Sequence, residues 1–195
     1  MRVSKIERTT LETQIRVELN IDGRGESEIH TGIGFLDHML TLLAKHGLFD
    51  LQVEARGDLE IDDHHTVEDI ALTLGQAFKE ALGHKKGINR YGSIILPMDE
   101  VLVLVAIDLS GRPYLVFDAH FRREKIGELS TEMVPHFFYS FTTQALCNLH
   151  IKLFQGDSDH HKIEGIFKAF ARALRMACEV DLRARDALPT TKGTL

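Results

Sequence analysis

DDHHTVEDIALTLGQAFKEALG, residues 62–83, and GDSDHHKIEGIFKAFARALRMAC, residues 156–178, decide the fold. Each opens on acids and a His-His pair, then carries apolar residues at the three- and four-residue spacing of an amphipathic helix. Asp63, His64, His65 and Glu68 recur as Asp159, His160, His161 and Glu164 at a constant offset of 96 residues. In the helix before each stretch, His38 aligns with His136 at an offset of 98. An internal match of this kind marks two related half-domains. Upstream of the first stretch, residues 12–21 alternate, with Ile15, Val17, Leu19 and Ile21 on one side, and read as a strand. A turn at 22–25, a short strand at 27–30, a helix over 35–46 and a strand over 48–55 follow. The second half repeats the order, with strands over 93–96, 101–109 and 114–119, a helix over 131–148 and a strand over 149–154. The expected fold is α+β with an internal duplication: each half is a mixed sheet with two helices on one face, and the halves bury their helices against each other. The halves fall at 1–90 and 91–195, joined near residues 87–91 and packed as one unit.

Composition narrows the classes. The chain has 195 residues, 44% hydrophobic and 27% charged, ordinary values for a globular protein. A formal net charge of -6 argues against a nucleic-acid partner, which would ask for a basic excess. It leaves room for an anionic small molecule, because a few local cations outweigh the global sign. The first residues lack the apolar core of a secretion signal, and no apolar run reaches membrane-spanning length. Cys147 and Cys178, the two cysteines, sit in apolar patterns and read as reduced core residues. A cytoplasmic protein without a membrane partner is expected. Histidine is the outlier, with 11 residues, several beside carboxylates.

His64 and Glu68 are four apart and share a helix face, as do His160 and Glu164. His65 and His161 lie about 100° further round and point elsewhere, so adjacent histidines serve different metals. Asp69 stands four after His65, but its counterpart is Gly165, so it is discounted as a ligand. Pseudo-twofold symmetry gives two sets: His38, His65, His160 and Glu164, and His136, His161, His64 and Glu68. A lone His pair at a helix start is more often a surface feature; its duplication is what points to metal. Near a helix N-terminus the dipole favours the neutral imidazole that ligation needs. Three imidazoles and one carboxylate suit Mn, Fe or Zn, and room for substrate favours six-coordinate Mn or Fe(II) over closed tetrahedral Zn.

HTGIGFLDHML (30–40), LEIDDHHTVED (59–69), EMVPHFFYSF (132–141), GDSDHHKIEGIFKAFARAL (156–174) and the closing TTKG (190–193) resemble the signatures of the imidazoleglycerol-phosphate dehydratases, in order and over nearly the whole chain. The resemblance implies a histidine-biosynthesis lyase that converts imidazole glycerol phosphate to imidazole acetol phosphate. It also implies a duplicated fold like domain 2 of ribosomal protein S5, two Mn2+ ions per active site, and a 24-subunit shell of trimers with metal sites between subunits. Glu12 matches the family's catalytic glutamate, which also touches substrate; as a bare strand-start carboxylate it reads as surface. Family matching assigns the phosphate to Arg90, Arg112, Lys168 and Lys192, with hydroxyls from Thr190 and Thr191, and places His46 near the substrate. His46 aligns with Gln144, so the repeat does not make it a ligand, and helix capping competes. Many members carry Asp-Gln where this chain has Thr41-Leu42, which leaves one substrate contact without its glutamine. Lys85 and Lys86 have no family match and read as surface.

The chemistry fits these groups. The proton to be removed lies on a carbon with no neighbouring carbonyl, so the substrate's imidazole must supply the electrons. Two metals, one on each ring nitrogen, would favour a bridging imidazolate. That ring could expel the hydroxyl through a diazafulvene-like intermediate, and a base would then take the carbon proton. Two rivals remain open at this level. A two-metal phosphate hydrolase would favour carboxylate-rich ligands with ions about 3.5–4 Å apart. A metal-stitched assembly protein would need no Glu12. No nucleophile triad, phosphate-binding loop or dinucleotide fingerprint is present.

Overall fold

The computed structural model describes residues 1–184 and 186–195. The first half runs β1 (Val3–Thr9), β2 (Thr13–Asn20), β3 (Ser27–His30), α1 (Gly34–Gly47), β4 (Asp50–Gly57) and α2 (His64–Leu82). The second runs β5 (Tyr91–Met98), β6 (Val101–Asp108), β7 (Tyr114–Asp118), the small hairpin β8 (Lys125–Ile126) and β9 (Leu129–Ser130), α3 (Met133–Ala145), β10 (Asn148–Gln155) and α4 (Asp159–Cys178). The two large sheets have the same plan: β1-β2-β4-β3 and β5-β6-β10-β7. Three strands in each are antiparallel neighbours. The fourth, β3 or β7, lies parallel to β4 or β10 because a helix intervenes in the chain, as a parallel pairing requires. Register repeats as well, with Val17 opposite Val53 in one sheet and Val105 opposite Ile151 in the other.

Strand alternation gives each sheet one apolar face. Ile15, Val17 and Leu19 are buried on β2, and Val101, Val103, Val105 and Ile107 on β6. α1 and α2 cover the first sheet, while α3 and α4 cover the second. The helices then meet across the halves, α2 on α3 and α1 on α4. Phe78 of α2 meets Phe141 of α3 edge-on at 5.7 Å, and Phe138 and Phe141 each meet Phe170 at 5.1 Å. The sandwich expected from the repeat is the fold observed.

Element bounds differ where backbone geometry intervenes. β2 begins at Thr13, so Glu12 lies on the β1–β2 turn and not in the strand. The helix over 131–148 is shorter: Leu146 adopts a left-handed conformation (φ 52°) and its N–H bonds the Thr142 carbonyl, closing α3. Leu48 closes α1 in the same way (φ 55°), which moves the next strand to Asp50. β1 and the β8–β9 hairpin have no sequence signature. β1 is an edge strand with one buried residue, Ile6, so its alternation is faint. Lys85 is not on the surface: it is buried and its amine donates to the Leu109 carbonyl at 3.0 Å, and burial pushes its pKa down. Cys147 and Cys178 are free, buried thiols, each raised to about 12 by burial.

Candidate metal centres and substrate site

The cross-half helix contacts bring ligands together. On the α1–α4 side, His38, His160 and Glu164 place one donor atom each within 4.8 Å of one another. Glu164 Oε1 is 3.8 Å from His38 Nε2 and Oε2 is 3.4 Å from His160 Nε2. On the α2–α3 side, His64, Glu68 and His136 form the matching trio, with His136 Nε2 3.2 Å from Glu68 Oε1 and the two imidazole centroids 4.6 Å apart. Each trio takes ligands from both halves. Two imidazoles and a carboxylate converging on one point suit a borderline divalent cation, so the residues fit a metal.

His65 and His161 join neither trio. His65 Nδ1 is 2.9 Å from Asp58 Oδ2 and 3.8 Å from Glu12 Oε2. His161 Nδ1 is 3.0 Å from Glu100 Oε2. Of each four-ligand set expected from symmetry, the chain assembles three members and holds the fourth histidine apart. Glu12, at 54% side-chain exposure, accompanies His65.

Electrostatics reinforce this layout. Burial alone would raise Glu164, but the Lys168 ammonium at 2.7 Å, with His38 and His160, holds it below the usual carboxylate range. Hydrogen bonds from His161 and then from the Ser158 N–H pull Glu100 down to about 2. His161 is raised in turn by Glu100, and His65 by Asp58. His46 is pushed below the ordinary histidine value by burial and then by Lys168 and Arg172.

The starts of α2 and α4 are fixed by two acids that sequence reasoning left without a role. Asp63 accepts from the Ser130 N–H at 2.6 Å and its hydroxyl at 2.8 Å. Asp159 accepts from the Arg122 and Arg123 N–H groups at 2.7 and 2.8 Å, and from Lys162 at 2.7 Å. Both acids are buried and both grip residues 122–130, so one segment orients both His-His turns. The signal was their recurrence at the same offset as the histidines. Asp69 is used otherwise, bonded to Arg8 and to Thr13 Oγ1.

The basic residues divide. Arg90, Arg112, Thr190, Thr191 and Lys192 line one cavity of about 510 Å³ with Tyr91. Arg90 gives its guanidinium to Asp108 at 2.7 Å and to the Pro189 carbonyl at 2.8 Å, and lies 4.7 Å over the Tyr91 ring. It thus anchors the tail, and among the described residues Arg112 and Lys192 have no acidic partner. Lys168 is absent from this cavity and pairs with Glu164. Leu42 packs against the core.

The model of the family "Imidazoleglycerol-phosphate dehydratase" matches residues 31–174. The imidazoleglycerol-phosphate dehydratase of Clostridioides difficile is 57% identical over 195 residues, all of both chains. "Histidine biosynthesis bifunctional protein HisB" of Spirosoma linguale is 60% identical over 194 residues, and the chain spans 50% of that protein's length. The crystal structure of the Staphylococcus aureus dehydratase superposes with TM-score 0.83 at 43% identity, covering 92% of this chain and 99% of that one. That of Pyrococcus furiosus, in complex with (S)-C348, gives 0.83 at 36% identity, covering 97% and 100%. The chain belongs to the imidazoleglycerol-phosphate dehydratase family.

Proposed function

We propose that this chain carries out the dehydration of its family, imidazole glycerol phosphate to imidazole acetol phosphate in histidine biosynthesis, with two divalent cations of the manganese class held by the two trios. The observation that carries the metal reading is that both trios form, each from two imidazoles and one carboxylate, at equivalent places. When bound, the ions would supply positive charge that lowers the N–H pKa of the substrate's ring. The chain's own residues do the rest. Arg112 and Lys192, with Thr190 and Thr191, bind the phosphate. His46, pushed below the ordinary histidine value by burial, is the further group assigned to the substrate. Glu12 takes the proton from the carbon beside the one that loses hydroxide. Proton and hydroxide leave as water, and the resulting enol tautomerises to the ketone.

The protein is proposed to work as a homo-oligomer. His65 and His161 each stand beside a carboxylate and join neither trio, and each is the fourth member that one of the two expected ligand sets lacks. A neighbouring copy would complete each set and bring Glu12 alongside. The 24-subunit shell of trimers is the arrangement to test by mass. A phosphorylated small molecule is the proposed substrate; among the described residues no helix is long and apolar enough to cross a membrane.

The test is to strip the protein with a chelator, add Mn2+ and measure ketone formation from imidazole glycerol phosphate. Activity restored only by the cation is expected. Full activity in the stripped protein would overturn the metal reading, and two bound ions without turnover would redirect attention to phosphate-ester hydrolysis.

A further inference from the structure

Glu12 and Glu100 occupy the same place in the two halves. Each immediately precedes the second strand of its hairpin, β2 at Thr13 and β6 at Val101. The sheet register confirms the match, because Val17 and Val105 stand five residues beyond the two acids and face Val53 and Ile151 at corresponding points of β4 and β10. His65 and His161 are likewise equivalent. Yet the pairs behave differently. Glu100 bonds His161 Nδ1 at 3.0 Å, while Glu12 stands 3.8 Å from His65 Nδ1. In the first half Asp58 takes that place at 2.9 Å. Its other oxygen is buried without a hydrogen-bond partner, so His65 is the one group it serves among the described residues.

We propose that Glu100 and Asp58 are positioning residues, each fixing through Nδ1 the histidine that its chain lends to a neighbour's metal, and that Asp58 thereby leaves Glu12 free for the reaction. An imidazole whose Nδ1–H donates to a carboxylate has its tautomer and ring plane set, and Nε2 remains for the cation. The carboxylate also raises the basicity of the ring as a ligand. The second half has no acid at the place of Asp58, where the chain reads Gly156 by the β4–β10 register. There the hairpin acid itself orients the histidine. One ancestral position thus serves orientation in one half and proton transfer in the other.

This rests on the reading that the trios hold divalent metal, and the experiment separates the two. The Mn2+ affinities of the assembled, metal-loaded protein are read by competition with a graded chelator, with His161→Ala identifying which class of ion depends on that histidine. Glu100→Ala should weaken that class roughly 10- to 100-fold and leave the other at the wild-type affinity. Glu100→Gln, which keeps an acceptor for Nδ1–H, should recover most of the loss. Asp58→Ala should weaken the opposite class, and supplies an independent answer should Glu100→Ala fail to fold. Glu100 also accepts from the Ser158 N–H at the start of α4, so a structural role alone would disturb His160 and Glu164 as well. Equal weakening of both classes, or wild-type affinity for both, would overturn the proposal while the metal reading stands. No Mn2+ bound by the wild type would overturn both.

Discussion

At the scale of residues, the two hairpin acids show how position and role come apart. Glu12 is exposed and stands 3.8 Å from His65 Nδ1, a placement that suits the proton acceptor proposed for it. Glu12→Gln is expected to bind two Mn2+ ions per chain with wild-type affinity while turnover falls roughly 10²- to 10⁴-fold, the usual contribution of a general base; wild-type turnover in that variant would remove Glu12 from the reaction. Asp69 makes the contrasting case. It is buried and bonded to both Arg8 and Thr13, so Asp69→Ala should lower stability by about 1–3 kcal/mol, the cost of leaving a buried partner unsatisfied. Chemical denaturation would show this, with both trios still binding metal. The repeat picked out eight ligand candidates because a duplicated spacing filters chance pairs; six of them form the two trios, and Asp69, which it set aside, is bonded to Arg8 and Thr13. Asp58 and Glu100 were not legible. Asp58 has no repeat partner, and the offset of 88 that relates Glu100 to Glu12 differs from the 96 of the helices, since the loops between have unequal lengths.

At the scale of elements, each trio depends on how closely two helices approach. At Gly75, α2 comes close to the backbone of α3: an added Cβ would come within 2.5 Å of the Phe141 carbonyl and 3.0 Å of the Ala145 nitrogen. Both are backbone atoms, so the helices would have to separate. Gly75→Ala is expected to cost about 1–3 kcal/mol through overpacking and to weaken the ion at His64, Glu68 and His136 before the one at His38, His160 and Glu164. Thermal melting and calorimetric titration would check both parts; unchanged affinity at both would show that the helix spacing does not govern the ligands. Sequence periodicity identified all four helices, because each is long and apolar on one face. It missed β1 and the β8–β9 hairpin. The hairpin strands are two residues each, too short for alternation to register, yet Ser130 of β9 is what grips Asp63.

At the scale of the whole molecule, the outer sheet faces are unlike. The first is charged, with Lys5, Arg16, Glu18 and Glu54 in ion pairs; the second exposes Tyr91, Ile95, Tyr114 and Val116. An assembly that buries apolar surface would place the second face inward. If the proposed ions tie copies together through His65 and His161, chelation should loosen that assembly and Mn2+ should restore it; sedimentation would read both, and an unchanged mass after stripping would count against shared sites. The trios themselves stand on a different footing. Their members come from opposite halves of one continuous chain, so the effective concentration at which they meet is set by covalent connection, not by how much protein is present. Dilution should therefore act in two stages. As copies part, each chain would forfeit the borrowed histidines and its turnover, yet keep two weaker, three-ligand cation sites that no further dilution can take apart.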